Sequence, residues 1–295
     1  MILVDIGNSG LRATRVADGG LFCSEKVFRL SWAAALATLR KPSPEQEAAP
    51  DQKWCKLEDA NAFDWLASQF QNAKNESWLV SCVQRHALAQ LQTSLNKCRI
   101  GASLKVLTHL DIPMSLDVEA PEKTGVDRLL AAYSAHRYAN EHASTAQPVI
   151  VIQAGTAVTV DFVDASGIFR GGSIMPGLGL SLQLLAAGTD LLPWLGNHAV
   201  DVRPTLPGKN TEQAISAGVN AALVGGASHL VERYRNECTY KSSIKVIVSG
   251  GDGSLLLPHI IEPVEFVEHV VLRGLSQLGS DSCNKPFDNL TTKLT

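Results

Sequence analysis

Long membrane-crossing stretches, metal-ligand spacings and basic blocks are all missing from this chain of 295 residues. No apolar run reads as reaching the roughly 18 residues that a bilayer crossing needs, so no membrane partner is expected. The six cysteines, Cys23, Cys55, Cys82, Cys98, Cys238 and Cys283, are scattered, with no C-x-x-C pair. No histidine cluster stands at metal-ligand spacing. These gaps exclude zinc-ribbon and thioredoxin-like readings and point to reduced, structural thiols without a metal ligand set. The chain enters a strand-like segment at once, with no charged leader or cleavage site, which fits a cytoplasmic protein. A net charge of -3 and the lack of a basic stripe argue against nucleic acid as a partner and leave a small molecule.

What is present is apolar enough to fold well: 45% hydrophobic and 19% charged residues can bury one large core or two medium ones. One design occurs twice, as Ile2-Leu3-Val4-Asp5-Ile6-Gly7-Asn8-Ser9 and as Ile150-Val151-Ile152-Gln153-Ala154-Gly155-Thr156-Ala157. In each, an apolar run meets an acid or amide, a spacer, a glycine and a small polar residue, the pattern of a buried strand ending in a tight turn. Such glycine turns let backbone amides approach an anion, and Asn8 or Thr156 adds a side-chain hydrogen bond. Either copy alone could be an ordinary hairpin turn. The pair suggests a nucleotide held between two related lobes.

Periodicity divides the chain accordingly. The first lobe, residues 1–112, reads as a strand-like start over 1–16, a strand over 21–29, a helix over 34–40 and a solvated loop over 41–53. A helix over 60–72, a strand over 78–83, a helix over 87–95 and a strand over 104–107 follow. The second, residues 113–280, reads as a helix over 126–142, strands over 149–156, 158–163 and 167–170, a Gly/Pro turn and a helix over 180–187. Asn210 then opens the longest helix, with Gln213 as its capping-box partner. Its apolar stripe, Ile215, Gly218, Val219, Ala222, Gly226 and Leu230, suits either burial or a subunit contact. A strand over 245–249 precedes a polar tail over 281–295.

Thr124-Gly125-Val126-Asp127-Arg128 falls where a loop enters a helix, which puts Asp127 in the first helical turn. A carboxylate is favoured there by the helix dipole, but the adjacent cation is not. An anionic substrate touching Arg128 would explain the pair.

Together with these segments, Ala154-Gly155-Thr156-Ala157-Val158-Thr159, Gly171-Gly172-Ser173-Ile174-Met175-Pro176-Gly177, the stretch from Thr189 through Pro193 and Gly208-Lys209-Asn210-Thr211 make the chain resemble the type III pantothenate kinases. That family belongs to the acetate and sugar kinase, Hsp70 and actin superfamily. The resemblance implies an α/β fold of two related ribonuclease H-like, actin-like lobes, each a mixed sheet flanked by helices. It further implies ATP-dependent phosphorylation of pantothenate, the first committed step toward coenzyme A, by a homodimer.

By the same resemblance, Asp5, Ile6, Gly7, Asn8, Ser9, Gly10, Leu11 and Arg12 form the first ATP phosphate turn, with Asp5 positioning Mg²⁺. Thr156 also contacts ATP, and Asp127 is the proton acceptor. Gly125, Val126, Asp127, Arg128 and Thr189 line the pantothenate site. The family's aspartate at the head of the second turn, linked to K⁺ or NH₄⁺, is replaced here by Gln153. Its amide oxygen can ligate a cation but brings no charge, which leaves a K⁺ requirement open. The family's substrate-contacting tyrosine aligns with Val118, ahead of Pro121. Another small-molecule kinase of the superfamily, or a noncatalytic nucleotide-binding regulator, stays open beside this reading.

Other motifs are weaker. Gly208-Lys209-Asn210-Thr211 lacks the first glycine and the hydroxyl of a Walker loop and reads as a helix start. Gly250-Gly251-Asp252-Gly253 suits either a plain strand-ending turn or a passage under adenosine. His136 and His142 read as solvated or core residues, and Trp194 as packing.

Overall fold

The computed structural model describes residues 1–17, 22, 26–32, 52–55, 60–73, 76–196, 203–237, 244–261 and 263–282. The helix expected over 34–40, most of the loop expected over 41–53, residues 283–295 of the expected tail, and Cys23, Cys238 and Cys283 lie outside these residues. Cys82 and Cys98 are free thiols.

Two mixed sheets share one topology. The first runs β4-β3-β2-β1-β5-β6, with β1 (Ile2–Ile6), β2 (Gly10–Arg15), β3 (Phe28–Trp32), β4 (Gln52–Cys55), β5 (Ser77–Cys82) and β6 (Ser103–Val106). The second runs β11-β10-β7-β8-β9, with β7 (Val149–Ala154), β8 (Ala157–Val163), β9 (Phe169–Pro176), β10 (Lys245–Ser249) and β11 (Val264–Phe266). In each, the first three strands form an antiparallel meander and the last two join parallel. Strand β4 is an addition to the first sheet, paired parallel to β3.

Strand periodicity builds the layers. Ile2, Val4 and Ile6 enter one core with α1 (Ala60–Ser68) and α2 (Arg85–Lys97), while Leu3 points to the opposite face. Ile150 and Ile152 pack with α4 (Leu178–Gly188) and α5 (Thr211–Glu237), while Val149 and Val151 share the core of Leu3. Both sheets are thus covered on both faces, which is why their central strands read as unbroken apolar runs. The shared middle layer is made by α3 (Val126–Asn140) and α7 (Val270–Ser282). A short helix, α6 (Gly253–Leu256), follows β10.

Several expectations need correction. The strand-like start is two strands, and the strand expected over 21–29 is β3, displaced toward the C-terminus. Gln52 and Lys53 belong to β4 rather than to a loop. Gly171 and Gly172 lie inside β9, not in a turn. A Cβ on Gly172 would stand 2.4 Å from Val160 O, so glycine here permits close approach of two strands at an irregular register.

In α5, Gln213 N–H donates to Asn210 Oδ1 (2.8 Å), while Gln213 Oε1 accepts from Lys209 N–H one residue earlier than a capping box requires. Its buried face is Ile215, Val219, Leu223, Ala227 and Val231, and the small residues Gly218, Ala222 and Gly225 face outward. This helix is long and apolar enough by length and composition to cross a membrane, against the sequence expectation. Its inner face is instead packed on the second sheet with Ser216 and Asn220 buried beside it.

Candidate active site

The two repeated turns close the first hairpin of each sheet. In the first, Gly7 N–H donates to Gly10 O (2.8 Å), and Trp32 braces the loop from β3 through Nε1 to Asn8 O (2.9 Å) and N–H to Ser9 O (3.0 Å). In the second, Gly155 N–H donates to Ala157 O (3.1 Å). The amides of Asn8, Ser9 and Thr156 donate to no acceptor among the described residues, as an anion cradle requires. The turns meet: the Ser9 and Thr156 hydroxyls are 2.5 Å apart.

Glycines let other segments crowd the second turn. A Cβ on Gly177, the residue capping α4, would lie 2.0 Å from Gly155 O; one on Gly250, whose φ is +98°, would lie 2.1 Å from Ala154 O. Asp252 N–H also donates to Ala154 O (3.2 Å), so the 250–253 turn abuts the second glycine turn. Gly208 packs on the first turn of α5 at Gln213 and Ala214, consistent with a helix start.

Asp5 stands opposite Arg12 in the β1–β2 register, and Arg12 opposite Arg29 in β2–β3, so all three share the face that looks toward the middle layer. Asp5 Oδ2 is 3.6 Å from Arg12 Nη1. Its Oδ1 is buried without a hydrogen-bond partner. Burial pushes the Asp5 carboxyl up to about 6; Arg12 opposes the rise and Asp127 adds to it by repulsion. Ile6 and Leu11, by contrast, are fully buried in the core, so only their backbone is available to a ligand.

Asp127 begins α3, one residue after Val126, and projects from the middle layer. Its Oδ1 accepts from Arg128 N–H (2.9 Å) and lies against Gly125, where a Cβ would stand 2.5 Å away. Burial raises its pKa above the usual carboxylate range, opposed by the Arg128 amide and charge. Arg128 has an internal partner: its Nε donates to Asp161 Oδ1 at 3.1 Å, and Nη2 pairs with the same oxygen. Its guanidinium also lies over the Phe169 ring, 5.7 Å from the centroid. Asp161 is 0% exposed. The sequence reading gave Arg128 a substrate anion alone and overlooked this carboxylate. An acid in the middle of Val158-Thr159-Val160-Asp161-Phe162-Val163 was the available signal, because a buried charge demands a partner.

Thr189 sits apart from these groups in bonding: it is exposed at the C-terminal end of α4 and its hydroxyl donates to Leu185 O (2.7 Å). Val118 packs beside Gly171 on β9 and the middle-layer core. Gln153 pairs with Ser249 and Thr159 in the sheet and shares the inward face of Val149 and Val151. Trp194 packs on the second core, and His136, half-buried, lies beside Gly167 with its pKa lowered by burial.

Two meander-plus-parallel sheets, joined by a middle helical layer with a glycine turn from each at their junction, define the two-lobed actin-like ATPase and sugar kinase fold. Solved structures carry the same fold: a 2-dehydro-3-deoxygalactonokinase candidate from Sinorhizobium meliloti superposes with a TM-score of 0.52 at 15% identity, covering 99% of each chain. A chain of the PilM-PilN type IV pilus biogenesis complex gives 0.51 at 11% identity, covering 95% of this chain and 98% of its own. Residues 1–233 match the family described as Type III pantothenate kinase. A type III pantothenate kinase from Rhodopirellula baltica is 41% identical over 93% of this chain and 97% of its own. One from Chlorobaculum tepidum is 34% identical over 58% of this chain and 62% of its own. The chain belongs to the type III pantothenate kinase family.

Proposed function

We propose that Asp127 is the proton acceptor, and the two glycine turns the phosphate grip, in ATP-dependent phosphorylation of pantothenate at the start of coenzyme A biosynthesis. Family membership carries the reaction. The assignment of roles rests on one arrangement: Asp5 lies on the strand that enters the first glycine turn, on the face toward the middle layer where Asp127 opens α3, and that turn meets the second through Ser9 and Thr156.

Phosphoryl transfer depends on alignment and charge stabilisation more than on covalent help from the protein. The free amides of Asn8, Ser9 and Thr156, with Arg12, supply donors to phosphate oxygens. Asp127 accepts the hydroxyl proton as the bond to phosphorus forms, and burial, by raising its pKa, strengthens it as a base. Arg128, held by Asp161, turns its remaining donor capacity and Gly125 toward pantothenate, with Val126 behind them. Thr189 completes that pocket by family resemblance.

Kinases of this family use ATP with a divalent metal, and a buried carboxylate oxygen without a donor, Asp5 Oδ1, suits a hard cation or its water. Mg²⁺ held there would offset phosphate charge. Gln153 is the candidate for a K⁺ or NH₄⁺ site, as a neutral oxygen donor. The enzyme is read as a cytoplasmic homodimer, with the outward Gly218, Ala222 and Gly225 of α5 as part of the contact and divided into lobes near residue 112.

The test is purified protein with ATP, Mg²⁺ and pantothenate, with and without K⁺ or NH₄⁺, followed by phosphorus NMR. Phosphopantothenate should form. Turnover of a different alcohol from a panel, with pantothenate untouched, would reject the substrate, and nucleotide binding with no acceptor turned over would favour a noncatalytic regulator. Sedimentation of Gly225→Arg should shift from dimer to monomer.

A further inference from the structure

One imidazole at the edge of the middle layer meets Arg29 directly and feels the positive charge of two further guanidinium groups, those of Arg12 and Arg273. Arg12 and Arg29 come from neighbouring positions on β2 and β3, and Arg273 comes from the first turn of α7. His269, the residue before that helix, is held at φ 52°. Arg29 Nη2 is 3.1 Å from His269 Nε2, the Arg273 guanidinium lies over the Phe22 ring at 5.4 Å, and Phe22 meets His269 edge-on.

Among the described residues the charges at this seam do not balance. Asp5 is ion-paired with Arg12, at 3.6 Å. Arg273 Nε donates to the Glu268 carbonyl, and the Glu268 side chain is part of an exposed residue. Among the described residues Arg29 has no carboxylate partner, and its Nε is buried without any acceptor. A buried guanidinium N–H aimed at nothing and facing like charges is a donor set lacking its acceptor.

We propose that Arg12, Arg29, His269 and Arg273 form a binding site for a phosphate-type dianion at the seam between the β2–β3 hairpin and the start of α7. Arg12 is shared with the first nucleotide turn; the other three stand outside it. A tetrahedral dianion accepts from several guanidinium groups at once and neutralises their mutual repulsion. It also changes His269. In the free protein burial, with repulsion from Arg12, Arg29 and Arg273, holds this imidazole down at about 4. A dianion in their midst offsets most of the local positive charge, so His269 takes up a proton more readily and binding tightens as pH falls.

The site goes beyond the kinase assignment and makes no use of Asp127, so loss of one reading leaves the other intact. The experiment follows Arg Nε–Hε and histidine NMR signals of the full chain during titration with sodium sulfate, against sodium chloride of matched ionic strength. Saturable shifts at Arg29 and Arg273 are expected, with the His269 midpoint rising by about one pH unit or more. Arg29→Gln and Arg273→Gln should each weaken binding by about tenfold or more. Titration with ATP separates the sources: sulfate displaced by ATP makes the phosphate the nucleotide's own, and sulfate bound beside ATP makes it a free ligand. Linear shifts that chloride reproduces, or saturation unchanged in both variants, would overturn the proposal.

Discussion

The hydroxyls of Ser9 and Thr156, 147 residues apart in the chain, hydrogen-bond to each other at 2.5 Å and join the glycine turns of the two lobes. A nucleotide gripped by both turns must compete with this bond. Ser9→Ala and Thr156→Ala should each raise KM for ATP, and the double variant should cost less than the two single effects together, because each single change already strands the shared partner. Strict additivity across the four proteins would show that the hydroxyls act independently.

Asp127→Asn keeps the shape of the side chain and removes its basicity. A loss of about 10²-fold to 10⁴-fold in kcat is expected, with an unchanged melting curve. In the wild type the acid limb of kcat/KM should lie above the ordinary carboxylate range, since burial raises Asp127 and places Asp5 at about 6. Turnover of Asp127→Asn at the wild-type rate would remove Asp127 from its role.

Asp5 carries a stability cost that its proposed metal role requires. A rise from 3.8 to about 6 means that the folded state holds the proton more tightly than the unfolded state, so stability falls as pH rises from about 4 through about 6. The size is roughly 3 kcal/mol at about 1.4 kcal/mol per pH unit. Without nucleotide or metal, Asp5→Asn should therefore melt higher than wild type at pH 8, with the gain vanishing below about pH 4. A lower Tm at pH 8 would contradict the burial argument.

Asp161 is fully buried against Arg128. Asp161→Asn should destabilise by about 3 to 5 kcal/mol, the usual consequence of stranding one member of a buried ion pair. Arg128→Met combined with Asp161→Leu should recover most of that stability in urea denaturation and still leave KM for pantothenate raised. Recovery of KM along with stability would free Arg128 from any substrate contact.

Gly177→Ala inserts a Cβ 2.0 Å from Gly155 O and must displace the second turn, whereas Gly251→Ala meets nothing within 4 Å. A raised KM for ATP is expected from the first and a wild-type value from the second. Equal kinetics for the two would mean that the close packing of Gly177 does not position the turn.

Much of this arrangement is legible in the sequence because period-two strands record it directly. Ile2, Val4 and Ile6 against Leu3 and Asp5 already separate two faces, and Asp127 follows from the helix opening at Val126. What escapes is set by pairing across long separations. The partnership of Arg128 with Asp161, 33 residues away, depends on β8 lying beside α3. Gly171 and Gly172 look like a turn because nothing local announces the β8 strand that they accommodate. Of the expected α5 stripe, Ile215 and Val219 are buried while Gly218 and Ala222 face outward, because glycine and alanine count as apolar on either side of a helix.

Gly274 is the point where α7 crosses α3: a Cβ there would come within 2.6 Å of Leu130 O. Leu130 lies one helical turn below Val126 and Asp127, and the same pair of helices is wedged between Leu3 and Leu79 on one side and Val149, Val151 and Ile247 on the other. The placement of Asp127 is therefore tied to this contact within the layer that both sheets share. A single methyl group placed at the crossing would act as a shim, tilting Asp127 away from its proposed alcohol without touching either glycine turn.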